Sequence, residues 1–180
     1  GLDEGMIDLV PIIETGKGLA VVENIAHAPQ RVRRLSFGAG DFSLDMNIRW
    51  TMEEHELDYA RAKIATASRA ARLESPLDTV FIHLGVLDGL RSTSERARNF
   101  GFQGKLCIHP EQIQPVNQVF SPSSEEIEQA KKYVDAFNAA EASGSASIQV
   151  EGYFIDYPIV EKAQRTLDVA EAIEQSRREV

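Results

Sequence analysis

The stretch VPIIETGKG, at residues 10–18, runs from apolar residues directly into a lone carboxylate and two nearby glycines. A short apolar run followed by Gly and acidic residues is typical of a parallel strand that is covered on both faces. In parallel α/β barrels, functional residues lie at the carboxyl ends of such strands. Glu14 follows this predicted strand immediately, so it is the first candidate for a functional residue.

Three more strand-length apolar runs follow, with helical patterns between them. The predicted strands cover residues 8–13, 34–37, 79–84 and 105–109, and the predicted helices cover residues 19–27, 52–72 and 92–100. This alternation indicates α/β crossover units and a parallel sheet, either doubly wound or closed into a barrel. Strands that start at residues 8 and 34, and at 79 and 105, favour TIM-barrel type (β/α) units. The units present would form half of an eight-stranded barrel with two open edges.

The last part of the chain has a different pattern. Ser123 or Ser124 is predicted to cap a helix that runs to about Ala142. Residues 148–155 alternate weakly, as in a strand or a hairpin, and residues 158–177 resemble a closing helix with Pro158 in its first turn. We therefore predict that residues 1–142 form a half barrel and that residues 143–180 form a C-terminal helical and hairpin extension.

Composition restricts the partners of the chain. The formal net charge is −9, which argues against nucleic acid or an anionic membrane as the main partner. The single cysteine, Cys107, excludes an internal disulfide framework and a multi-cysteine metal site. No run approaches the roughly 20 apolar residues of a membrane helix. We predict a cytoplasmic protein, and the start at Gly1 without Met suggests a processed product, an expression remnant or a fragment.

A second acid stands in the same position relative to its strand as Glu14 does. Asp41 follows the run LSFGAG at residues 35–40, just after the second predicted strand. Because neighbouring strands lie about 4.8 Å apart, carboxylates at two adjacent strand ends can share one ion. Two oxygen ligands with open positions suit Mg²⁺ better than zinc, which favours His and Cys. The alternative is that Glu14 caps the following helix and Asp41 is a turn residue.

Five ordered motifs carry a family resemblance that extends from about Val10 to Ala170. They are IIETGKG at residues 12–18, FGAGD at 37–41, YAR at 59–61, GFQGKLCIHPEQ at 101–112 and GYFIDYP at 152–158. In order and spacing they resemble the citrate lyase beta subunit family of the HpcH/HpaI aldolase superfamily, which includes malyl-CoA and citramalyl-CoA lyases. The resemblance implies a TIM barrel, of which this chain would supply the second half, and trimers or larger homo-oligomers.

The resemblance also implies an activity and a set of site residues. Relatives of this kind are Mg²⁺-dependent enzymes that cleave a 3-hydroxyacyl-CoA, such as malyl-, citramalyl- or citryl-CoA, into a 2-oxo acid and an acyl-CoA. Glu14 and Asp41 match the metal-binding acids of the family. Asp156 matches an acid on a lid-like C-terminal segment that reaches over a neighbouring subunit's active site for acid–base chemistry. Its alternative role is to cap the helix that begins near Pro158.

Other polar residues have structural interpretations beside functional ones. His109 could carry a proton or contact substrate, but a loop-ordering hydrogen bond is the favoured interpretation. Cys107 is predicted to be an inert buried thiol. Tyr59 and Arg61 are expected to pack or to form an ion pair. The basic stretch at residues 31–34 is expected to be a solvated edge, with CoA phosphates as the alternative partner.

The sequence departs from the family pattern in three respects. Relatives usually carry an acid at the position of Gly40 and commonly an Asp at that of His83. The first four barrel units, which supply an arginine for the acid substrate and part of the CoA site, have no counterpart in this chain. Two alternative functions follow: an aldolase that cleaves free hydroxy-oxo acids without CoA, or a non-catalytic fragment that acts as an interaction module.

Overall fold

The computed structural model describes residues 1, 6–28 and 31–178. The chain divides into two compact units, Gly1–Phe120 and Ser121–Val180. The division into a half barrel at residues 1–142 and a C-terminal extension at residues 143–180 stays a prediction. None of the helices within the described residues is long and apolar enough to span a membrane.

The first unit is built from short strands that alternate with helices. Its strands are β1 (Ile12–Ile13), β2 (Ser36–Phe37), β3 (Leu77–Asp78) and β4 (Gly104–Lys105). Its helices are α1 (Gly16–Ala20), α2 (Val22–Ala26), α3 (Ala39–Asp45), α4 (Asp58–Ala70), α5 (Leu87–Asn99) and α6 (Ile113–Phe120), with 3-10 turns at His55–Leu57 and Pro110–Gln112. The strands are all parallel and lie in the order β1-β2-β3-β4. The predicted α/β fold with a parallel sheet is therefore confirmed.

The register of the sheet places its residues in two rows. Ile12 pairs with Ser36, Ser36 with Leu77, and Leu77 with Gly104, which forms one row. The other row pairs Ile13 with Phe37 and Asp78 with Lys105. Ile13 and Phe37 are buried in a core with side chains of the helices, including Leu19, Val22, Phe42, Leu57, Ala60 and Ile64. Burial of these apolar side chains holds the strand ends, and with them the loops that follow, in fixed positions.

A buried charge cluster, formed by Glu54, Arg61, Asp78 and Lys105, continues the second row. Arg61 donates two hydrogen bonds to Asp78, from Nε at 2.9 Å and from Nη2 at 3.0 Å, and it also pairs with Glu54. Lys105 Nζ donates to Asp78 Oδ2 at 2.7 Å. All these side chains are at most 1% exposed. The prediction of an ion pair for Arg61 is confirmed, whereas Tyr59 on the same helix is 69% exposed and does not pack in the core.

The strands and some helices differ from the predicted bounds. The third strand covers Leu77–Asp78 rather than residues 79–84. Asp78 belongs to the sheet although it is charged, because its carboxylate is buried against cations. Helices α3 and α6 were not predicted, since Gly38, Gly40 and Pro115 suggest loops. Cys107 lies beyond β4 and is exposed, so the prediction of a buried thiol was wrong. Partial burial still raises the pKa of this thiol, which lowers its reactivity.

The second unit consists of two helices and a hairpin. Helix α7 (Ser124–Ala142) begins with a capping box between Ser123 and Glu126, as one of the predicted alternatives has it. Strands β5 (Ile148–Val150) and β6 (Tyr153–Ile155) pair antiparallel, and α8 (Tyr157–Arg178) follows. The rings of Phe137 and Tyr157 meet edge to face at 5.1 Å, which fixes the start of α8 against α7.

Candidate functional site

The side chain of Glu14 lies directly against the backbone of Gly38. The two strands that precede these residues are joined by a hydrogen bond from the Gly38 N–H to the Ile13 carbonyl, at 3.0 Å. A Cβ atom built on Gly38 would lie 2.9 Å from Glu14 Cβ and 3.0 Å from Glu14 Oε2. Glycine is therefore required at this position, because any side chain would displace the glutamate.

Asp41 follows at the start of the next helix. It lies in the first turn of α3, three residues after Gly38, and it is exposed. Glu14 and Asp41 thus both follow the carboxyl ends of the neighbouring parallel strands β1 and β2. Within the described part of the chain, neither carboxylate is engaged in a hydrogen bond or an ion pair, so their oxygen atoms are available to a ligand.

The structural alternatives for these two acids are not observed. Helix α1 is capped by Thr15, whose hydroxyl accepts a hydrogen bond from the Gly18 N–H at 2.9 Å. Glu14 is therefore not the cap. Asp41 belongs to a helix rather than to a turn. Their role as metal ligands stays a prediction.

A third acid connects the loop after β1 to α3. Asp45, at the last residue of α3, accepts a hydrogen bond from the Gly16 N–H at 2.7 Å. This contact joins the segment that carries Glu14 to the helix that carries Asp41. Asp45 was not predicted from the sequence, because the contact joins residues that are 29 positions apart.

The donor set at this edge fits magnesium better than zinc. In the ranges 6–28 and 31–178, no group of three or more His, Cys, Asp or Glu side chains is arranged to hold a metal ion. Mg²⁺ is commonly held by one or two carboxylates, with water and substrate in the remaining positions, whereas zinc usually takes three or four protein ligands. Glu14 and Asp41 supply two carboxylates, which is enough for Mg²⁺ but fewer than the protein ligands that zinc usually takes.

Two histidines line a small cavity at the carboxyl ends of β3 and β4. His83 lies edge to face against Phe81, with ring centroids 5.4 Å apart, and His109 lines the same cavity. His109 Nδ1 accepts a hydrogen bond from the Glu111 N–H at 3.3 Å, which confirms the favoured loop-ordering role. Gln112 donates to the Phe81 carbonyl at 2.7 Å and fastens the two strand ends together.

Asp156 caps the last helix. Its Oδ1 accepts a hydrogen bond from the Ile159 N–H at 3.4 Å, at the start of α8 in the second unit. The capping alternative is therefore observed, and the proton-transfer role stays a prediction. The other oxygen, Oδ2, forms no hydrogen bond to any described residue.

The basic stretch at residues 31–34 lies at the opposite ends of the strands from Glu14. Arg33 pairs with Asp8 at 3.1 Å and with Glu74 at 3.6 Å, and Arg34 also pairs with Glu74. These residues precede β2, whereas the candidate site follows it. The expected solvated edge is therefore observed: Arg33 and Arg34 pair with local acids, and Arg31 donates a hydrogen bond to the Ile7 carbonyl at 3.2 Å.

Substitution of the two glycines that flank Ala39 provides a matched pair. We expect Gly38→Ala to lower the free energy of unfolding by about 1–3 kcal/mol, because the new methyl group overlaps Glu14 and Ile12. Gly40→Ala should be neutral or stabilising by up to about 1 kcal/mol. The new Cβ atom would meet only Trp50, at 3.7 Å, and alanine is favoured over glycine within a helix. Urea denaturation of both variants measures the difference. Equal stability of the two would contradict the placement of Glu14.

Comparison with known proteins identifies relatives of this chain. The model of the HpcH/HpaI aldolase/citrate lyase family matches residues 1–110. The citrate lyase subunit beta of Leuconostoc mesenteroides subsp. cremoris is 34% identical over 172 residues, which cover 96% of this chain and 57% of that protein. The mitochondrial citramalyl-CoA lyase of Homo sapiens is 32% identical, and the match covers 96% of this chain and 53% of that protein.

A solved structure shares the fold. The crystal structure of CitE from Mycobacterium tuberculosis in complex with magnesium, acetoacetate and coenzyme A is 25% identical, with a TM-score of 0.76, and the match covers 92% of this chain and 62% of that one. The chain spans a little over half the length of the curated relatives it matches.

Proposed function

Because the chain belongs to the HpcH/HpaI aldolase/citrate lyase family, we propose that it carries the metal-binding part of a Mg²⁺-dependent carbon–carbon lyase. The substrate would be a 3-hydroxyacyl-CoA of the malyl-, citramalyl- or citryl-CoA type, and the products a 2-oxo acid and an acyl-CoA. The observation that carries this proposal is the position of Glu14 against Gly38, with Asp41 one helical turn away on the adjacent strand unit. The proposed architecture is the second half of a TIM barrel.

Glu14 and Asp41 would hold the metal ion through their carboxylates. Both have oxygen atoms without a hydrogen-bond partner in the described ranges, and the relative from Mycobacterium tuberculosis contains magnesium together with an oxo acid and coenzyme A. Mg²⁺ in this position supplies a Lewis acid for the oxygen atoms of the acid half of the substrate. Gly40 leaves room for the substrate beside Asp41, because a Cβ atom at this position would meet only Trp50, at 3.7 Å.

Asp156 is the proposed base that takes the proton from the substrate hydroxyl. Its Oδ2 has no hydrogen-bond partner among the described residues, and Asp156 is only half-buried at the start of α8, so it is accessible to a substrate. The family resemblance suggests that this acid acts on the site of a neighbouring copy, so the proposed active form is a homo-oligomer. An Asp can cap a helix in one state and accept a proton in another.

Two substitutions separate the two roles of Asp156. We expect Asp156→Asn to lower the rate of cleavage by about 10²-fold to 10⁴-fold while it keeps the helix cap, because Asn caps helices as well as Asp but cannot accept the proton. Asp156→Ala should show the same loss of rate and also lose about 1 kcal/mol of stability. Equal activity of Asp156→Asn and the unmodified chain would exclude the proposed base.

The activity itself is tested by incubating the 180-residue chain with malyl-CoA, citramalyl-CoA or citryl-CoA and Mg²⁺ and following release of the 2-oxo acid. Cleavage that requires the CoA ester supports the lyase. Cleavage of free hydroxy-oxo acids alone would indicate the CoA-independent aldolase instead. A second candidate function is a non-catalytic interaction module. Mg²⁺ binding without cleavage of any of these compounds would indicate that module.

A further inference from the structure

The N-terminus of α3 has no cap of its own. The residue at the cap position is Gly38, which has no side chain to accept a hydrogen bond from the first turn. Ser, Thr, Asp or Asn would ordinarily stand there. None of them fits, because the space of a Cβ atom is already filled by Ile12 and Glu14 at 2.9 Å. The position that brings Glu14 against the strand end therefore deprives the helix that carries Asp41 of a local cap.

A side chain from the next strand unit takes over this function. Thr79, immediately after β3, accepts a hydrogen bond through its hydroxyl oxygen from the Ala39 N–H at 2.9 Å. Ala39 is the first residue of α3, and the two residues are 40 positions apart in the sequence. Thr79 is 1% exposed and Ala39 is fully buried, so water cannot replace the hydroxyl.

Thr79 is itself held in place by the buried charge cluster. The preceding residue, Asp78, receives hydrogen bonds from Arg61 and Lys105 at 2.7–3.0 Å. Hydrogen bonds between ionised partners are among the strongest in proteins, so the end of β3 is a rigid support. Phe42, one turn further along α3, packs edge to face on Phe37 with ring centroids 5.5 Å apart. The helix is thus fixed at its first residue by Thr79 and at its centre by Phe42.

We propose that Thr79 is a positioning residue, which fixes the first turn of α3 and so holds Asp41 at the distance from Glu14 at which both can bind one divalent cation. This inference rests on the proposed function for its metal, although the contact between Thr79 and Ala39 does not. Residues that orient metal ligands commonly change metal affinity by about 10-fold to 100-fold when they are removed. We expect an effect at the lower end of this range, because Thr79 acts on Asp41 through the backbone.

The test compares Thr79→Val, which has nearly the same shape but no acceptor, with Thr79→Ser, which keeps the hydroxyl. The control is Thr93→Val, because Thr93 is also buried but its hydroxyl donates a hydrogen bond to the Leu90 carbonyl within its own helix. Mg²⁺ affinity of the 180-residue chain is measured by titration calorimetry, and hydrogen exchange of the Ala39 amide by NMR. If Thr79→Val does not fold, Thr79→Ala, which removes the hydroxyl without placing a second methyl group beside the amide, is measured in its place.

We expect Thr79→Val to weaken Mg²⁺ binding about tenfold and to speed exchange of the Ala39 amide by roughly fivefold or more. Thr79→Ser and Thr93→Val should leave both quantities close to those of the unmodified chain. Unchanged exchange at Ala39 would overturn the inference. Faster exchange with unchanged Mg²⁺ affinity would overturn the positioning role and leave the proposed metal site intact. Absence of Mg²⁺ binding by the unmodified chain would instead refute the proposed function, and with it the role given to Thr79.

Discussion

Replacement of Glu14 by Gln, or of Asp41 by Asn, is expected to remove most of the stabilisation of the chain by Mg²⁺. A ligand that binds only the folded state at 100 times its dissociation constant stabilises it by about 2.7 kcal/mol. Each substitution removes one of the two proposed charged ligands and retains the shape of the side chain, so most of this stabilisation should be lost. The measurement is the melting temperature with and without Mg²⁺, in the presence and absence of a 2-oxo acid.

The control for this experiment is Glu95→Gln, an exposed acid on α5, far along the sequence from both candidate ligands. It lowers the negative charge by the same amount, so it reveals any general attraction of Mg²⁺ to an acidic chain. If all three variants respond to Mg²⁺ as the unmodified chain does, the two acids do not form a metal site.

Replacement of Asp78 by Asn is expected to cause the largest loss of stability in the first unit. Asp78 is the shared acceptor of Arg61 and Lys105, and all three side chains are fully buried. Removal of one partner from a buried ion pair leaves an uncompensated charge and commonly costs about 3–5 kcal/mol. The free energy of unfolding from urea titration at pH 7, followed by circular dichroism, gives the magnitude.

The matched control is Glu74→Gln, which removes an acid that pairs with Arg33 and Arg34 at the surface. Exposed ion pairs contribute about 0–1 kcal/mol, so this variant should unfold at nearly the same urea concentration as the unmodified chain. Comparable losses from both substitutions would mean that the buried charge cluster adds no more than a surface pair does.

The contribution of Asp78 also depends on pH. Burial raises the pKa of this carboxyl. The charges of Lys105 and Arg61 and their hydrogen bonds lower the pKa by more than burial raises it, so the net shift is downward. A carboxyl with a lowered pKa stabilises the fold at pH values above its unfolded pKa, which is about 3.9. This stabilisation is lost as the pH falls through the pKa of the folded state. The difference between the unmodified chain and Asp78→Asn should therefore shrink below about pH 4.

The sequence was sufficient to predict the parallel sheet and the edge at which Glu14 and Asp41 lie. Both acids follow apolar runs of strand length, and the carboxyl ends of parallel strands meet at one edge. Local pattern was enough because each of these features depends on a few consecutive residues. The capping of α7 by Ser123 was predictable for the same reason.

The elements that the sequence did not reveal depend on contacts between distant residues. Helix α3 was missed because Gly38 and Gly40 disfavour a helix, and the cap that compensates comes from Thr79, which follows a different strand. The burial of Arg61 and Lys105 was equally hidden, since such residues are seldom buried without partners and the partners lie 7 to 27 residues away. Tertiary structure, rather than local propensity, decides these positions.

The buried charge cluster pairs two cations with two anions, so it has no net charge of its own. The surplus of −9 therefore lies outside the cluster. Dissolved salt screens exposed charges over about 8 Å at physiological ionic strength but acts much less on buried pairs. Added salt should thus weaken the repulsion between this acidic chain and the anionic CoA ester proposed as its substrate, and so speed their encounter, without loosening the sheet on which the candidate site depends.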